Sequence, residues 1–95
     1  MRLRYTGRAK DDLDIAFEWY EGQRRGLGFE FLDCVEAAIE AILQMPKLYA
    51  KQHDSFRRTL VRRFPFSIFY TIEKKEIVVH AIFDNRQDLV RLPKL

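Results

Sequence analysis

The residues best suited to do chemistry in this sequence are arginines in its second half. Arg57, Arg58, Arg62 and Arg63 precede the run FPFSIFYTI, and Arg86 follows the run IVVHAIF. Guanidinium groups bind carboxylates and phosphates through paired hydrogen bonds, and they stabilise negative charge that develops during a reaction. The arginines therefore predict a contact surface for a polyanion or for an acidic protein segment.

Other reactive side chains are few. His80 could act as a base, but a single histidine within the apolar run Val78–Ile82 is more often a packed, hydrogen-bonded residue. Cys34, in a helical pattern, is typical of a small buried hydrophobic residue. Asp84 and Asp88 flank Arg86 and could pair with it, which would make that arginine structural. Both interpretations of His80 and of Arg86 remain open from the sequence.

Composition narrows the class of protein. Residues 1–50 hold seven Lys or Arg against nine Asp or Glu, whereas residues 51–95 hold ten against five, so the positive charge lies in the second half. A single cysteine, no apolar run of membrane-spanning length and no signal-peptide pattern favour a cytoplasmic protein with no membrane partner. No metal-ligand spacing, nucleotide-binding loop or Ser/His/Asp pattern is present, so we expect no cofactor and no metal.

Three β-like runs should carry these arginines. Aromatic and β-branched residues dominate the second and third runs, and Glu73-Lys74-Lys75 between them suits a hairpin connection. The predicted strands are Arg57–Arg62, Phe64–Ile72 and Glu76–Phe83, with an earlier edge strand at Arg2–Tyr5.

Two amphipathic helices precede this meander. The first begins near Gly7 with Thr6 as its cap, carries its apolar stripe over Ala9–Glu21 and ends at Gly22. The second runs from about Gly28 to Met45, before Pro46. Ile15 and Trp19 form a second stripe that could cover the next helix or serve as an exposed contact site. Lys47 to Ser55 is predicted as a polar loop.

These elements predict one domain, 1–95, of the α+β class in the order β-α-α-β-β-β. Because neither helix can bury its apolar stripe alone, the helical hairpin should pack on one face of a mainly antiparallel, twisted sheet. In the predicted strand Phe64–Ile72, alternation assigns two sets of side chains to opposite faces of the sheet. The helix-facing set is Phe64, Phe66, Ile68, Tyr70 and Ile72, and the other set is Ser67, Phe69 and Thr71.

The last predicted strand is apolar on both faces, which is typical of a strand in the interior of a sheet. Simple alternation groups Val78, His80 and Ile82 against Ile77, Val79, Ala81 and Phe83.

The ordered set of motifs resembles the RelE/ParE toxin superfamily. The similar segments are an acidic helix ending in Trp19-Tyr20, then Gly26-Leu27-Gly28 opening a helix that stops at Pro46, the run RRFPFSIFY at 62–70, the run IVVHAIF at 77–83, and Asn85-Arg86-Gln87-Asp88. The resemblance implies the toxin of a bacterial type II toxin–antitoxin pair, associated with plasmid stabilisation and growth inhibition, and held inactive in a hetero-oligomer with a cognate antitoxin.

The resemblance leaves the target open between two branches. RelE-like members cut mRNA on the ribosome with basic residues, and ParE-like members inhibit DNA gyrase. Ser67 stands where RelE-like nucleases place a catalytic arginine, and Thr59, Leu60 and Val61 stand where they carry lysines. No tyrosine or histidine follows Arg86, which matches the arginine after the last core strand. These departures favour the ParE-like branch, and with it a binding protein over an enzyme.

Two alternatives accompany this hypothesis. The first is a ribosome-dependent endoribonuclease, whose catalytic residues would be Arg62, Arg63, Arg86 and His80. The second is a non-toxic basic binding module with the same fold. In any of these, the residues expected to contact the target or the antitoxin are Arg57, Arg58, Arg62, Arg63, Ser67, Phe69 and Arg86.

Overall fold

The computed structural model describes residues 1–87, so Asp88 and the tail to Leu95 lie outside the described residues. Two helices pack on a five-stranded sheet. The elements are β1 (Arg2–Tyr5), α1 (Gly7–Gln23), α2 (Leu27–Gln44), β2 (Lys51–His53), β3 (Phe56–Leu60), β4 (Phe66–Glu73) and β5 (Glu76–Asp84). Neither of the two helices is long and apolar enough to cross a bilayer.

The strands lie in the order β1-β5-β4-β3-β2. β1 runs parallel to β5, and the other neighbouring pairs are antiparallel. The predicted α+β fold, with a helical hairpin on one face of a mainly antiparallel sheet, is confirmed. The short strand β2 is an addition, because it lies within the segment that was predicted to be a polar loop.

The beginning of α1 follows the sequence prediction. The hydroxyl of Thr6 accepts a hydrogen bond from the Ala9 amide at 3.1 Å, which satisfies one of the free amides of the first turn. The end of α1 differs, because the helix continues through Gly22 to Gln23. A glycine is tolerated in an exposed helical turn, so Gly22 alone does not end the helix.

The turn between the helices depends on Glu21. Its carboxylate accepts hydrogen bonds from the Gly26 and Gly28 amides, each at 2.9 Å, and thereby caps the beginning of α2. Gly26 has a φ of 89°, in the left-handed region that favours glycine. Gly28 lies so close to Phe17 that a Cβ atom there would stand 2.8 Å from the Phe17 carbonyl oxygen.

The β3–β4 connection is longer than the sequence suggested, since β3 ends at Leu60 rather than Arg62 and β4 begins at Phe66 rather than Phe64. The Val61 amide donates to the Phe66 carbonyl at 2.9 Å, which closes the loop. Arg63 has a φ of 70°, and Pro65 has no amide to donate to a ladder. Arg62 and Arg63 therefore lie on a loop and not on a strand.

A bulge at His80 changes which side chains of β5 lie on each face of the sheet. Phe69 pairs with Ala81 but Tyr70 pairs with Val79, so His80 is the extra residue in the ladder. The predicted grouping of Val78 and His80 with Ile82 is therefore wrong. Ile82 joins Ile77 and Val79 in the main core, which the helices cover.

The two faces of β4 are as predicted. Phe64, Phe66, Ile68 and Tyr70 belong to the main core with residues of both helices. Phe69, Ala81 and Phe83 form a second cluster of buried side chains on the opposite side of the sheet, which we call the outer face. β5 is an interior strand, as its apolar pattern predicted.

Candidate functional site

Arg58 is held by two hydrogen bonds and by a ring contact. Its Nε donates to Ser67 Oγ at 2.8 Å and its Nη2 donates to Asn85 Oδ1 at 3.1 Å. The Ser67 hydroxyl donates to the same Asn85 oxygen at 2.7 Å. The Arg58 guanidinium also lies 5.7 Å from the centre of the Phe69 ring. We call these four residues the Arg58 cluster.

Strand pairing explains the Arg58 cluster. Arg58 lies opposite Phe69, and Ser67 lies opposite Phe83, so all of these residues belong to the outer face. Asn85 follows the end of β5, and its amide donates to the Pro65 carbonyl at 2.7 Å. Sequence reasoning missed Asn85, because only the register of β4 against β5 places it beside Ser67.

Burial distinguishes the members of this cluster. Ser67 has no exposed surface and Phe69 is 5% exposed, whereas Arg58 is half-buried. Within residues 1–87 the Nη1 group of Arg58 makes no hydrogen bond. Ser67 and Phe69 thus hold the guanidinium in place, and Arg58 presents the group that a partner can reach.

Arg57 has a structural environment although it adjoins Arg58. It pairs across the ladder with Tyr70, on the side of the helices. Its Nη1 donates to the carbonyls of Tyr49 at 2.6 Å and Lys47 at 3.2 Å. Arg57 therefore anchors the segment that leaves α2.

The other two arginines of the group lie exposed on the β3–β4 loop. Arg63 Nη2 donates to Glu30 at 2.8 Å, and the guanidinium lies 5.7 Å from the Phe64 ring centre. The hydrogen bond from Arg63 lowers the pKa of Glu30 below its usual value. In the part of the chain that the structure describes, Arg62 has no hydrogen bond and no ion pair, so its charge is available to a partner.

Arg86 is paired with Asp84. Two parallel hydrogen bonds of 2.9 and 2.8 Å join its Nε and Nη2 to the carboxylate, and they hold the pKa of Asp84 below its usual value. The Arg86 guanidinium lies 5.7 Å from the Trp19 ring centre. The pairing that the sequence suggested with Asp84 is present, and the one with Asp88 lies outside the described residues.

His80 lies elsewhere on the outer face. Its Nε2 is 2.8 Å from the Thr71 hydroxyl oxygen, and that hydroxyl donates to Glu73 at 2.6 Å, so the Nε2–H donates to Thr71. The ring packs edge-on against Phe56, and burial lowers the pKa of His80. This environment agrees with a packed, hydrogen-bonded residue.

The four residues of the ribonuclease alternative are therefore in different surroundings. Arg63 contacts α2, Arg86 contacts Asp84 and Trp19, and His80 contacts Thr71 and Phe56. No hydrogen bond or ion pair joins any two of Arg62, Arg63, His80 and Arg86, all of which are described. Residues 1–87 also contain no group of three His, Cys, Asp or Glu placed as metal ligands.

A groove with a volume of about 490 Å³ lies between α1 and the end of β5, and we call it the α1 groove. The residues of interest in its lining are Arg8, Asp12, Ile15, Trp19, Tyr20 and Arg86. Ile15 is 71% exposed and Trp19 is 52% exposed, so much of the second stripe of α1 lies at the surface. The sequence indicated this stripe but not the polar residues beside it.

Asp12 forms the polar floor of the α1 groove. Its Oδ2 accepts from Arg8 Nε at 3.2 Å and from the Ile82 amide at 3.0 Å. Burial raises the pKa of Asp12, and these two hydrogen bonds oppose that shift. The carboxylate thus satisfies a β5 amide that lies beyond the end of β1.

Known proteins that are similar to this chain indicate its family. A family model described as the ParE toxin of the type II toxin–antitoxin system parDE matches residues 3–89. The chain belongs to the ParE toxin family. This ParE-family chain is also similar to a solved structure titled "Chromosomal ParDE TA system from P. aeruginosa".

That similarity has a TM-score of 0.78 and 22% sequence identity, over 88% of this chain and 95% of the other, and it supports the shared fold. No curated protein matches this chain. Membership of the ParE family identifies the protein as a toxin of the type II toxin–antitoxin class.

Proposed function

We propose that this ParE-family protein inhibits bacterial growth by binding DNA gyrase. We further propose that it works in the cytoplasm as one domain, that a cognate antitoxin neutralises it in a hetero-oligomer, and that the pair contributes to plasmid stabilisation. The observation that carries the proposal is the Arg58 cluster, because it holds one guanidinium in a fixed orientation on the outer face.

A fixed arginine suits recognition by contact. Long side chains lose conformational entropy when they bind, and the hydrogen bonds to Ser67 and Asn85 reduce that loss for Arg58. Arginine is enriched among the residues that dominate binding energies at protein interfaces. The half-buried guanidinium could bind a carboxylate of gyrase or of the antitoxin with its remaining donors.

Inhibition by contact also agrees with the scattered catalytic candidates. General acid–base chemistry requires a base within hydrogen-bond reach of the reacting group. The Nε2 of His80 is engaged with Thr71, and Arg63 and Arg86 are each paired with a carboxylate. This arrangement supports binding of a target over cleavage of RNA.

One observation favours the ribosome-dependent endoribonuclease as the alternative. Ser67 stands at the position to which the family resemblance assigns a catalytic arginine, and the Arg58 guanidinium lies 2.8 Å from its hydroxyl. A cation is therefore present beside this position, although it comes from β3 and not from β4. The non-toxic binding module remains the second alternative.

The test compares wild type with Arg58→Ala, and with Lys74→Ala as a control on the exposed β4–β5 turn. Purified gyrase should lose supercoiling activity as wild-type protein is added. Arg58→Ala should require about a tenfold higher concentration, which corresponds to the loss of one important interface residue. Lys74→Ala should behave as wild type, and a thermal melt should show that both variants are folded.

Arrested cells distinguish the alternatives. Intact ribosome-bound mRNA together with relaxed or broken DNA would agree with gyrase as the target. Cleaved message with normal supercoiling would instead assign Arg58 to RNA cleavage. Normal growth on expression without an antitoxin would leave the non-toxic module.

A further inference from the structure

Four arginines lie together at one end of the molecule, where two connections between elements meet. Arg24 and Arg25 belong to the turn between α1 and α2, and Arg62 and Arg63 belong to the β3–β4 loop. All four are exposed. The Nη2 atoms of Arg24 and Arg63 donate to the two oxygens of the Glu30 carboxylate, at 3.1 and 2.8 Å. A side chain of α2 therefore joins the two connections, and we call the four arginines the arginine patch.

The arginine patch carries more positive charge than its surroundings compensate. Glu30 is the one carboxylate that its members contact within residues 1–87, and it bonds to two of the four. Over the same residues, Arg25 and Arg62 have no hydrogen bond and no ion pair. The nearby Glu21 carboxylate is engaged with two amides of the turn. Charge is thus available here for a ligand with several closely spaced negative groups.

Part of the arginine patch is already fixed in the free protein. Arg63 has a φ of 70°, a left-handed conformation that residues other than glycine rarely adopt. Such conformations persist where the surrounding structure enforces them, and they cluster at binding sites. The Arg63 guanidinium also lies 5.7 Å from the ring centre of Phe64. A side chain that is held in this way loses less conformational entropy when it binds a ligand.

Duplex DNA is the ligand that suits this surface. It carries one negative charge about every 1.7 Å along its axis, and proteins contact its phosphates with arginine and lysine side chains. A protein partner would bury an apolar centre, whereas the ring that Arg63 contacts, Phe64, is only 8% exposed. The same burial prevents that ring from stacking on bases, which is how proteins commonly bind single strands. The chemistry therefore favours contacts to the backbone of a duplex.

We propose that the arginine patch binds the phosphate backbone of duplex DNA, independently of base sequence. Arg25 and Arg62 supply uncompensated charges, and Arg24 and Arg63 add the guanidinium donors that Glu30 does not occupy. The inference rests on the proposed function in one respect, because the proposed target, gyrase, is an enzyme that acts on duplex DNA. It adds a second ligand, which is bound through residues outside the Arg58 cluster.

The experiment follows the fluorescence anisotropy of a labelled DNA duplex as purified protein is added, without gyrase. Between about 50 and 200 mM salt, the logarithm of the binding constant should fall with the logarithm of salt concentration with a slope of about −3. Two duplexes of unrelated sequence should bind alike, because phosphate contacts carry no sequence information. A slope near zero, or a strong preference for one sequence, would overturn the proposal.

Two double variants with equal loss of charge locate the DNA contact. Arg25→Gln with Arg62→Gln should weaken DNA binding about tenfold and reduce the salt slope by about 2, with an unchanged Tm. The matched control is Lys74→Gln with Lys75→Gln, in the β4–β5 turn at the other end of the eight-residue strand β4. The control should bind as wild type. Equal losses in the two double variants would indicate a general effect of net charge and would contradict the proposal.

Glu30→Gln tests the same patch through a gain of affinity. The substitution removes the carboxylate that compensates Arg24 and Arg63. DNA should therefore bind about threefold more tightly, and the salt slope should become steeper by about 1. A thermal melt verifies that the variant is folded. Unchanged or weaker DNA binding by the folded variant would contradict the proposal.

Two competing probes identify the ligand. If poly-glutamate displaced the duplex at an equal concentration of charge, the patch would be assigned to an acidic protein. If single-stranded RNA bound more tightly than the duplex, the patch would be assigned to RNA. Either result would overturn the proposal.

The DNA-binding measurements also separate this inference from the proposed function, because gyrase is absent from them. A protein that inhibits purified gyrase but binds no DNA would refute the inference alone. A protein that binds DNA through the arginine patch but does not inhibit gyrase would refute the proposed function alone.

Discussion

At the scale of residues, Arg57 and Arg58 show how neighbours of one type acquire different roles. They alternate across the sheet, so Arg57 donates to the Lys47 and Tyr49 carbonyls while Arg58 lies over Phe69 on the outer face. Arg57 is expected to stabilise the fold and Arg58 to contact a partner. A count of basic residues would treat the two as equal.

His80 gives a prediction at the same scale. Because burial lowers its pKa in the folded protein, protonation favours the unfolded state. The stability from neutral His80 is complete above its unfolded pKa of about 6.5 and is lost as pH falls below that value towards the lower folded pKa. Urea denaturation between pH 8 and pH 5 should therefore show a fall in the free energy of unfolding.

The control for that prediction is His80→Gln, whose side-chain amide can still donate to Thr71. The variant should lose less stability than wild type between pH 7 and pH 5, since the titrating group is gone. Identical pH profiles for the two proteins would show that other groups cause the fall. The result would also report the protonation state of the His80 ring near neutral pH, and a base must be unprotonated to accept a proton.

At the scale of elements, the turn between α1 and α2 determines how the helical hairpin packs. The Glu21 carboxylate satisfies two amides at the start of α2, and Gly28 lets that helix approach Phe17 closely. Both features concern backbone groups, which explains why the apolar pattern of the helices did not reveal them. The pattern predicted that the hairpin exists, and the turn decides its geometry.

Gly28→Ala should destabilise the protein by about 1–3 kcal/mol, the usual cost of inserting an atom into a packed site. The cause is the Phe17 carbonyl, 2.8 Å from the added Cβ, which cannot move without shifting the helix. Gly22→Ala is the matched control, since nothing lies within 4 Å of a Cβ at that exposed helical position. It should stabilise by up to about 1 kcal/mol, through helix propensity, in the same urea measurement. A stable Gly28→Ala protein would contradict the close packing.

At the scale of the whole molecule, the sheet has an incompletely covered edge. β2 pairs with β3 only at Phe56 and Arg57, so within residues 1–87 the outer side of Arg58–Leu60 has no neighbouring strand. Leu60 is 63% exposed at this edge. Exposed strand edges with apolar side chains promote association with other chains, and a protein partner that adds a strand would cover them.

We expect the protein to give a low soluble yield when it is expressed alone and a higher yield with its antitoxin. Leu60→Lys should raise the yield of the protein alone, because charged side chains on an edge strand oppose aggregation. Leu48→Lys is the control, since Leu48 is equally exposed at 64% but lies outside the strands. Equal gains from both changes would indicate a general effect of charge, and a good yield of monodisperse wild type would contradict the prediction.

Local patterns in the sequence determined the class of fold. Four local signals were sufficient to predict the helical hairpin, the sheet and the face of β4 that meets the helices. They are the helical periodicity, the cap at Thr6, Pro46 and the alternation of FPFSIFYTI. Each of these signals depends on residues that are close together in the chain. The ordered motifs also identified the toxin superfamily.

Only the tertiary structure decided the site, because its partners are distant in sequence. Ser67 and Asn85 meet through the register of two strands, and Arg8 and Tyr20 share a groove that exists only once α1 packs on β5. The bulge at His80 reverses the alternation of β5, and a period-two pattern cannot predict an inserted residue. Which arginine is fixed, which is paired and which is free follows from these long-range contacts.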